Sequence, residues 1–293
     1  MSEPRAAGDC ARELAVWRWS AAVSPGAASE AFPALFGRPE RGAAPWQEGA
    51  DAVAEEAAVA LSYNGISHVV MMMTPADLED FAVGFSLSEG IVAAASEIRD
   101  VELIPRERGL ELAVTLPPGR EHALKSMRRN LTGRTGCGLC GAESLEQAIR
   151  PVDRVAAGPR VEAAAVERAL ALLSASQPLA ERTGGAHGAA WFGLDGRLLI
   201  AREDVGRHNA LDKLIGALAR GAIPAAGGFA LVSSRASFEM VTKAARAGVG
   251  MLVAVSAPTS LAVRLAEEAG LTLVAFARPG RLSVYSAPER LVC

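Results

Sequence analysis

The order of apolar and polar positions divides the chain. Residues 1 to about 45 are rich in Ala, Gly, Pro and Arg and carry no period, which reads as a flexible N-terminal extension with local order around Trp17 and Trp19. A pattern appears from about residue 51. Glu55–Tyr63 and Ile66–Met73 read as strands, and Asn64-Gly65 between them suits a two-residue hairpin turn, whose central residues both take positive φ. Thr74-Pro75-Ala76-Asp77 reads as a helix opening, with Thr74 as the cap, Pro75 in the first turn and Asp77 favouring the helix dipole. Leu78, Phe81, Ala82, Phe85 and Leu87 form its apolar face. Ile98–Ile104 and Leu110–Leu116 make a second hairpin. Short helices are expected over Glu121–Leu131 and Glu143–Ile149, on either side of a glycine-rich loop, Thr132–Gly141.

Pro151–Pro159 reads as a domain boundary, and beyond it helices and strands alternate. Helices are expected at Val161–Ser174, Gly206–Arg220, Phe238–Ala247 and Leu261–Ala269, the last two ended by Gly248 and Gly270. Strands are expected at Ala186–Phe192, Arg197–Arg202, Phe229–Val232, Met251–Val255, Leu271–Ala277 and Leu282–Tyr285, with Leu194-Asp195-Gly196 turning between the first two. Continuous apolar strands between helices imply an α/β class with a mostly parallel sheet covered on both faces. The expected divisions are an extension over 1–45, an α+β domain of hairpins and short helices over 46–155, and an α/β domain over 156–293.

Composition narrows the class. The 293 residues are 50% hydrophobic, which argues against global disorder. Lys and Arg number 30 against 33 Asp and Glu, so a net charge of −3 argues against nucleic-acid binding by bulk positive charge. There is no apolar run of about 18 residues for a membrane span. The charged N-terminus, with Glu3, Arg5, Asp9 and Arg12, lacks a signal-peptide core, so the expected location is cytoplasmic.

Several clusters are candidates for chemistry. Cys137 and Cys140 form a single C-x-x-C inside Thr135-Gly136-Cys137-Gly138-Leu139-Cys140-Gly141. The glycines let another thiolate approach a sulfur atom, and Lys125, Arg128, Arg129 and Arg134 favour the thiolate form. Such a thiolate can take sulfur as a persulfide, and the second cysteine can release it by exchange. Zinc needs about four ligands, and the histidines at 68, 122, 187 and 208 lack ligand spacing, so no zinc is expected. The second cluster, Glu203-Asp204-Val205-Gly206-Arg207-His208-Asn209-Ala210-Leu211-Asp212-Lys213, lies where a strand meets a helix. It suits an anion at the helix N-terminus, or equally a capped helix with pairs Asp204/His208 and Asn209/Lys213. Ser233-Ser234-Arg235-Ala236-Ser237 offers hydroxyls and a guanidinium at the next such junction, with plain Ser capping as the bland reading for Ser237. Phe276-Ala277-Arg278-Pro279-Gly280-Arg281 puts two arginines and a tight turn at a strand end. Thr183-Gly184-Gly185-Ala186-His187 allows close backbone approach. Together these clusters point to a phosphate-bearing ligand at the carboxyl ends of the strands.

The set C-G-x-C-G at 137–141, T-G-G-x-H at 183–187, E-D-V-G-R-H-N-A-x-D-K at 203–213, S-S-R-x-S-F-E-M at 233–240, A-P-T-S at 257–260 and F-A-R-x-G-R at 276–281 closely resembles the FdhD family over about residues 50 to 290. The resemblance implies a sulfur carrier, or sulfurtransferase, required for formate dehydrogenase activity. It implies that sulfur arrives from a cysteine desulfurase as a persulfide and goes to the molybdenum bis-(molybdopterin guanine dinucleotide) cofactor before insertion into the formate dehydrogenase catalytic subunit. Cys137 would carry the persulfide, with Cys140 as its partner. Phe276, Ala277, Arg278, Pro279, Gly280 and Arg281 would bind the cofactor, and His187, Asp204, Arg207, His208, Asn209, Ser233, Ser234 and Arg235 fit its guanine dinucleotide and phosphates, with GDP or GTP as analogues. The resemblance further implies a homodimer and a C-terminal domain similar to the cytidine deaminase fold. Zinc deaminases need H-x-E and P-C-x-x-C at two helix starts. Here those starts would carry Arg207-His208-Asn209-Ala210 and Ser233–Ser237, so zinc chemistry is not expected. A protein that binds the molybdenum cofactor as a chaperone without moving sulfur is the competing reading; it has no need of Cys137.

Overall fold

The computed structural model describes residues 10–19, 46–118, 152–156 and 158–292. The expected helices at 121–131 and 143–149, the loop at 132–141 with Cys137 and Cys140, and Cys293 lie outside the described residues.

Strands β1 (Ala11–Trp19) and β2 (Trp46–Ala54) pair antiparallel as a two-stranded ribbon, so the local order expected around Trp17 and Trp19 is a strand. Next come β3 (Ala57–Tyr63), β4 (Ile66–Met73), helix α1 (Leu78–Ser88), β5 (Asp100–Arg106) and β6 (Gly109–Thr115). Asn64 and Gly65 turn the β3–β4 hairpin at φ 47° and 76°, the positive pair that the sequence predicts. The four strands lie in the order β4-β3-β6-β5. Alternation puts Val59, Leu61, Leu112 and Val114 on one face, against Leu78, Phe81, Ala82 and Phe85 of α1. Helix α1 starts later than expected. Its N-cap is Asp77, at φ 52° and with no side-chain cap bond, because Thr74 is held by a distant element described below.

The remainder is β7 (Val161–Glu162), α2 (Ala163–Leu173), α3 (Pro178–Thr183), β8 (His187–Gly193), β9 (Leu198–Asp204), α4 (Arg207–Arg220), β10 (Gly228–Val232), α5 (Phe238–Arg246), β11 (Met251–Ala254), α6 (Ser260–Ala269), β12 (Thr272–Arg278), β13 (Arg281–Ser286) and β14 (Leu291–Val292). The class is α/β in three layers, as expected, but the sheet is mixed. Its order is β13-β12-β11-β10-β8-β9; β10, β11 and β12 run parallel, while β8, β9 and β13 join antiparallel. The expectation of a mostly parallel sheet fails because both edges are hairpins, turned at Gly196 and Gly280 with φ 79° and 74°. The fully buried strands are β10 and β11, the two continuous apolar runs. Val166 and Ala169 of α2 pack on Phe229, Leu231 and Val253 from one face. Leu211, Met240 and Leu265 of α4, α5 and α6 pack on Trp191, Leu252 and Leu273 from the other.

Helices α1 and α4 join the two sheet systems back to back. A Cβ on Gly84 would lie 1.7 Å from the Asp212 carbonyl oxygen, and one on Gly216 would lie 1.8 Å from that of Asp80. The backbones therefore touch, and no larger residue fits at the crossing. Ion pairs flank it. Asp80 meets Arg202 Nη2 at 2.7 Å and Arg220 Nη1 at 2.5 Å, and Glu79 also pairs with Arg220. At the other end Lys243 Nζ lies 2.9 Å from Asp212 and 2.8 Å from Glu89, while Ser88 Oγ donates to Asp212 at 2.6 Å. Burial works against the Lys243 ammonium, yet Asp212 and Glu89 outweigh it and hold its pKa above the ordinary lysine value.

Gly84→Ala should destabilise the protein by about 3 kcal/mol, the upper range for overpacking, because backbone cannot move aside like a side chain. Urea unfolding checks this, with Gly227→Ala, which meets only Pro224 Cγ at 3.5 Å, as a near-neutral control.

Candidate functional site

The carboxyl ends of β9, β10, β11 and β12 and the start of β8 meet along one rim of the six-stranded sheet. Helices α4, α5 and α6 begin directly after β9, β10 and β11, so their free N–H groups gather at that rim. The S-S-R-x-S and A-P-T-S segments are tied together: Ala236 N donates to Ala257 O at 3.1 Å and Thr259 N to Ala236 O at 3.0 Å.

The residues expected at the site form two tiers. The lower tier is closed. Asp204 is 0% exposed and accepts from Thr74 N at 3.1 Å, Gly206 N at 2.8 Å and Asn209 Nδ2 at 3.0 Å. Lys213, also 0% exposed, lies 2.7 Å from Asp204 and donates to Thr74 O at 3.0 Å. Asn209 donates a second bond to Met72 O at 3.0 Å, and Val205 N donates to Thr74 Oγ1 at 3.1 Å. Asp204 and Asn209, expected against the cofactor, are thus engaged by the protein's own groups, and with Lys213 they latch the N-terminal sheet system to the rim. Glu203 accepts from Leu179 N and Ala180 N at 2.9 and 2.8 Å and so caps α3.

The upper tier is open. His187, Arg207 and His208 are half-buried. His208 Nε2 lies 2.8 Å from Glu239 Oε2 and 3.5 Å from Ser237 Oγ, so neither the expected Asp204/His208 pair nor a Ser237 side-chain cap forms. Arg207 Nε is buried and makes no hydrogen bond among the described residues. Ser233 ties two strand ends: its Oγ accepts from Gly188 N at 2.9 Å and its N donates to Gly188 O at 3.0 Å. Ser234 is buried and donates to Arg235 O at 3.1 Å, whereas Arg235 is exposed.

The β12–β13 hairpin completes the rim. Phe276 sits at φ 49°, where a bulky residue is strained by about 1–3 kcal/mol, and it is 41% exposed. The register shifts between Ala275 and Arg278. Ala277 is buried, and Phe276 N donates to Ser256 O at 3.1 Å. Arg278 Nη1 donates to Val255 O at 2.6 Å, and Gly280 N donates to both oxygens of Glu167, at 3.0 and 3.2 Å. Arg281 is exposed.

Sequence reasoning gives no site role to Thr74, Glu239 or Glu167. Each reaches its partner from another element, so no local spacing announces it. The rim can hold an anion with guanidinium groups and helix N-termini, and it offers one exposed aromatic face for a flat ring.

Fold and rim together define an α/β protein with a cationic strand-end site above a latched second sheet. The FdhD/NarQ family model matches residues 54–292, and the chain belongs to that family. Among its relatives, the sulfur carrier protein FdhD of Bordetella petrii is 52% identical over 241 residues, covering 82% of this chain and 87% of that protein. The sulfur carrier protein FdhD of Cupriavidus necator is 54% identical over 241 residues, covering 82% and 84%. A crystal structure from Desulfotalea psychrophila, described as a formate dehydrogenase accessory protein, matches with a TM-score of 0.65 at 27% identity, covering 95% of this chain and all of that one. Among the described residues, no helix is long and apolar enough to cross a membrane.

Burial, then the charges of Arg207 and His208, push the His187 pKa below its ordinary 6.5, while Asp204 opposes them. The folded state therefore favours neutral His187. That contribution to stability is present above pH 6.5 and lost as pH falls through the depressed value. An NMR titration should find His187 protonating below 6.5, and Arg207→Met should bring it back toward 6.5.

Proposed function

We propose that this protein is a sulfur carrier that serves formate dehydrogenase, taking persulfide sulfur from a cysteine desulfurase on Cys137 and delivering it to the molybdenum bis-(molybdopterin guanine dinucleotide) cofactor, its substrate. The observation that carries this reading is the 52–54% identity over 241 residues with proteins named sulfur carriers. The rim supports it from the acceptor side. Arg207, Arg235, Arg278 and Arg281 surround the helix N-termini with positive charge suited to phosphates, and Phe276 offers its ring to a guanine.

In the loading step the Cys137 thiolate attacks the outer sulfur of the desulfurase persulfide. The desulfurase cysteine leaves as its thiolate, and Cys137 holds the persulfide with no net oxidation. Lys125, Arg128, Arg129 and Arg134 precede the C-x-x-C in sequence and favour the attacking thiolate. The Cys140 thiolate can then attack the outer sulfur and release Cys137 as its thiolate, an exchange with no net oxidation. Asp204 and Asn209 act on the cofactor indirectly, by fixing the start of α4.

Cys137→Ala should abolish sulfur loading from a desulfurase while leaving the unfolding midpoint unchanged; mass spectrometry of the 137–140 peptide reads the added sulfur. Persulfide confined to Cys10 or Cys293 would refute the assignment to Cys137, and formate dehydrogenase restored by a Cys137→Ser, Cys140→Ser double variant would favour a cofactor chaperone instead. Arg278→Ala with Arg281→Ala should weaken GDP binding by about 100-fold, each arginine supplying one charge-assisted hydrogen bond, and leave loading intact.

A further inference from the structure

We propose that Glu167, on α2, is a positioning residue that clamps the β12–β13 hairpin in the strained shape that holds Phe276 at the rim. The inference rests on reading that rim as the guanine-dinucleotide site. Glu167 stands outside every cluster that the sequence marks, and α2 packs on the sheet face opposite α4, α5 and α6.

The argument starts from strain. A non-glycine residue at φ 49° with its ring exposed persists only where neighbouring contacts over-determine it. On the strand side Phe276 N is bound to Ser256 O at 3.1 Å, and Arg278 Nη1 is bound to Val255 O at 2.6 Å. On the far side of the strained residue the hairpin tip has one hydrogen-bonded anchor outside its own sheet among the described residues: both carboxylate oxygens of Glu167 on Gly280 N, at 3.0 and 3.2 Å. The turn Pro279-Gly280 has φ 74° at Gly280, so it is already shaped, and Glu167 fixes where it sits rather than how it bends. With that acceptor gone, the tip loses its hold from outside the sheet, and relaxation of Phe276 and of the register shift between Ala275 and Arg278 is opposed only by the bonds to Ser256 and Val255. Arg278 and Arg281, on either side of the turn, move with it.

Glu167→Gln keeps an acceptor for Gly280 N and removes the charge; Glu167→Ala removes both. Isothermal titration with GDP as the probe should give a dissociation constant about tenfold higher for Glu167→Ala and close to wild type for Glu167→Gln, one charge-assisted hydrogen bond being at stake. In the ligand-free protein, NMR should find the Gly280 amide exchanging faster in Glu167→Ala than in wild type, and unchanged in Glu167→Gln. Wild-type GDP affinity in Glu167→Ala, or equal loss in both variants, overturns the proposal. If wild-type protein itself ignores GDP, the cofactor reading of the rim fails. The clamp is then judged by Gly280 exchange alone, where equal rates in wild type and Glu167→Ala overturn it.

Discussion

The structure depends on the contact between α1 and α4. Gly84 and Gly216 bring two backbones to a separation that excludes any side chain, and this closeness lets the flanking groups reach one another. Two buried lysines complete the joint at different levels. Lys213 meets Asp204 beneath the rim, and Lys243 meets Asp212 beside Ser88. Removing one member of such a pair strands a buried charge and costs about 3–5 kcal/mol. The joint therefore has little tolerance: its small residues set the distance, and its charges demand that distance.

The same joint shapes the site. Thr74 closes the β4 strand and simultaneously bonds Asp204, Val205 and Lys213, so the start of α4 is set from below by another sheet system. Arg207 and His208 occupy the first turn of α4 and inherit that position. The E-D-V-G-R-H-N-A-x-D-K stretch thus has two jobs on different residues. Asp204, Asn209 and Lys213 face inward to the latch; Arg207 and His208 remain in the half-open tier. A motif of polar residues at a strand-to-helix junction is in this case part bolt and part binding surface.

Local signals are legible in the sequence. Asn64-Gly65 makes its hairpin, the apolar runs of β10 and β11 are the fully buried strands, and Gly270 ends α6 at φ 68°. Strand direction is less legible, since alternation with helices cannot distinguish a parallel strand from a hairpin partner at the sheet edge. Two-residue strands such as β7 and β14 are too short to show a period. The helix opening expected at Thr74 fails for a physical reason: its backbone and hydroxyl are taken by residues 130 and 131 positions away. The Glu167 contact with Gly280 spans 113 positions and is silent in the sequence for the same reason. Long-range polar pairs carry no period, and this site is assembled from them.

Family membership and the cationic rim are the two supports of the proposed function, in which sulfur is received on a cysteine and a phosphate-rich cofactor is met at the sheet edge. The thiol is known from sequence and the rim from structure. The most direct measurement loads Cys137 with isotope-labelled sulfur, removes the desulfurase, and adds the molybdenum cofactor followed by cofactor-free formate dehydrogenase. The account predicts that the label leaves Cys137 and is recovered in the cofactor of active enzyme. Label that stays on Cys137 while formate dehydrogenase becomes active would contradict it.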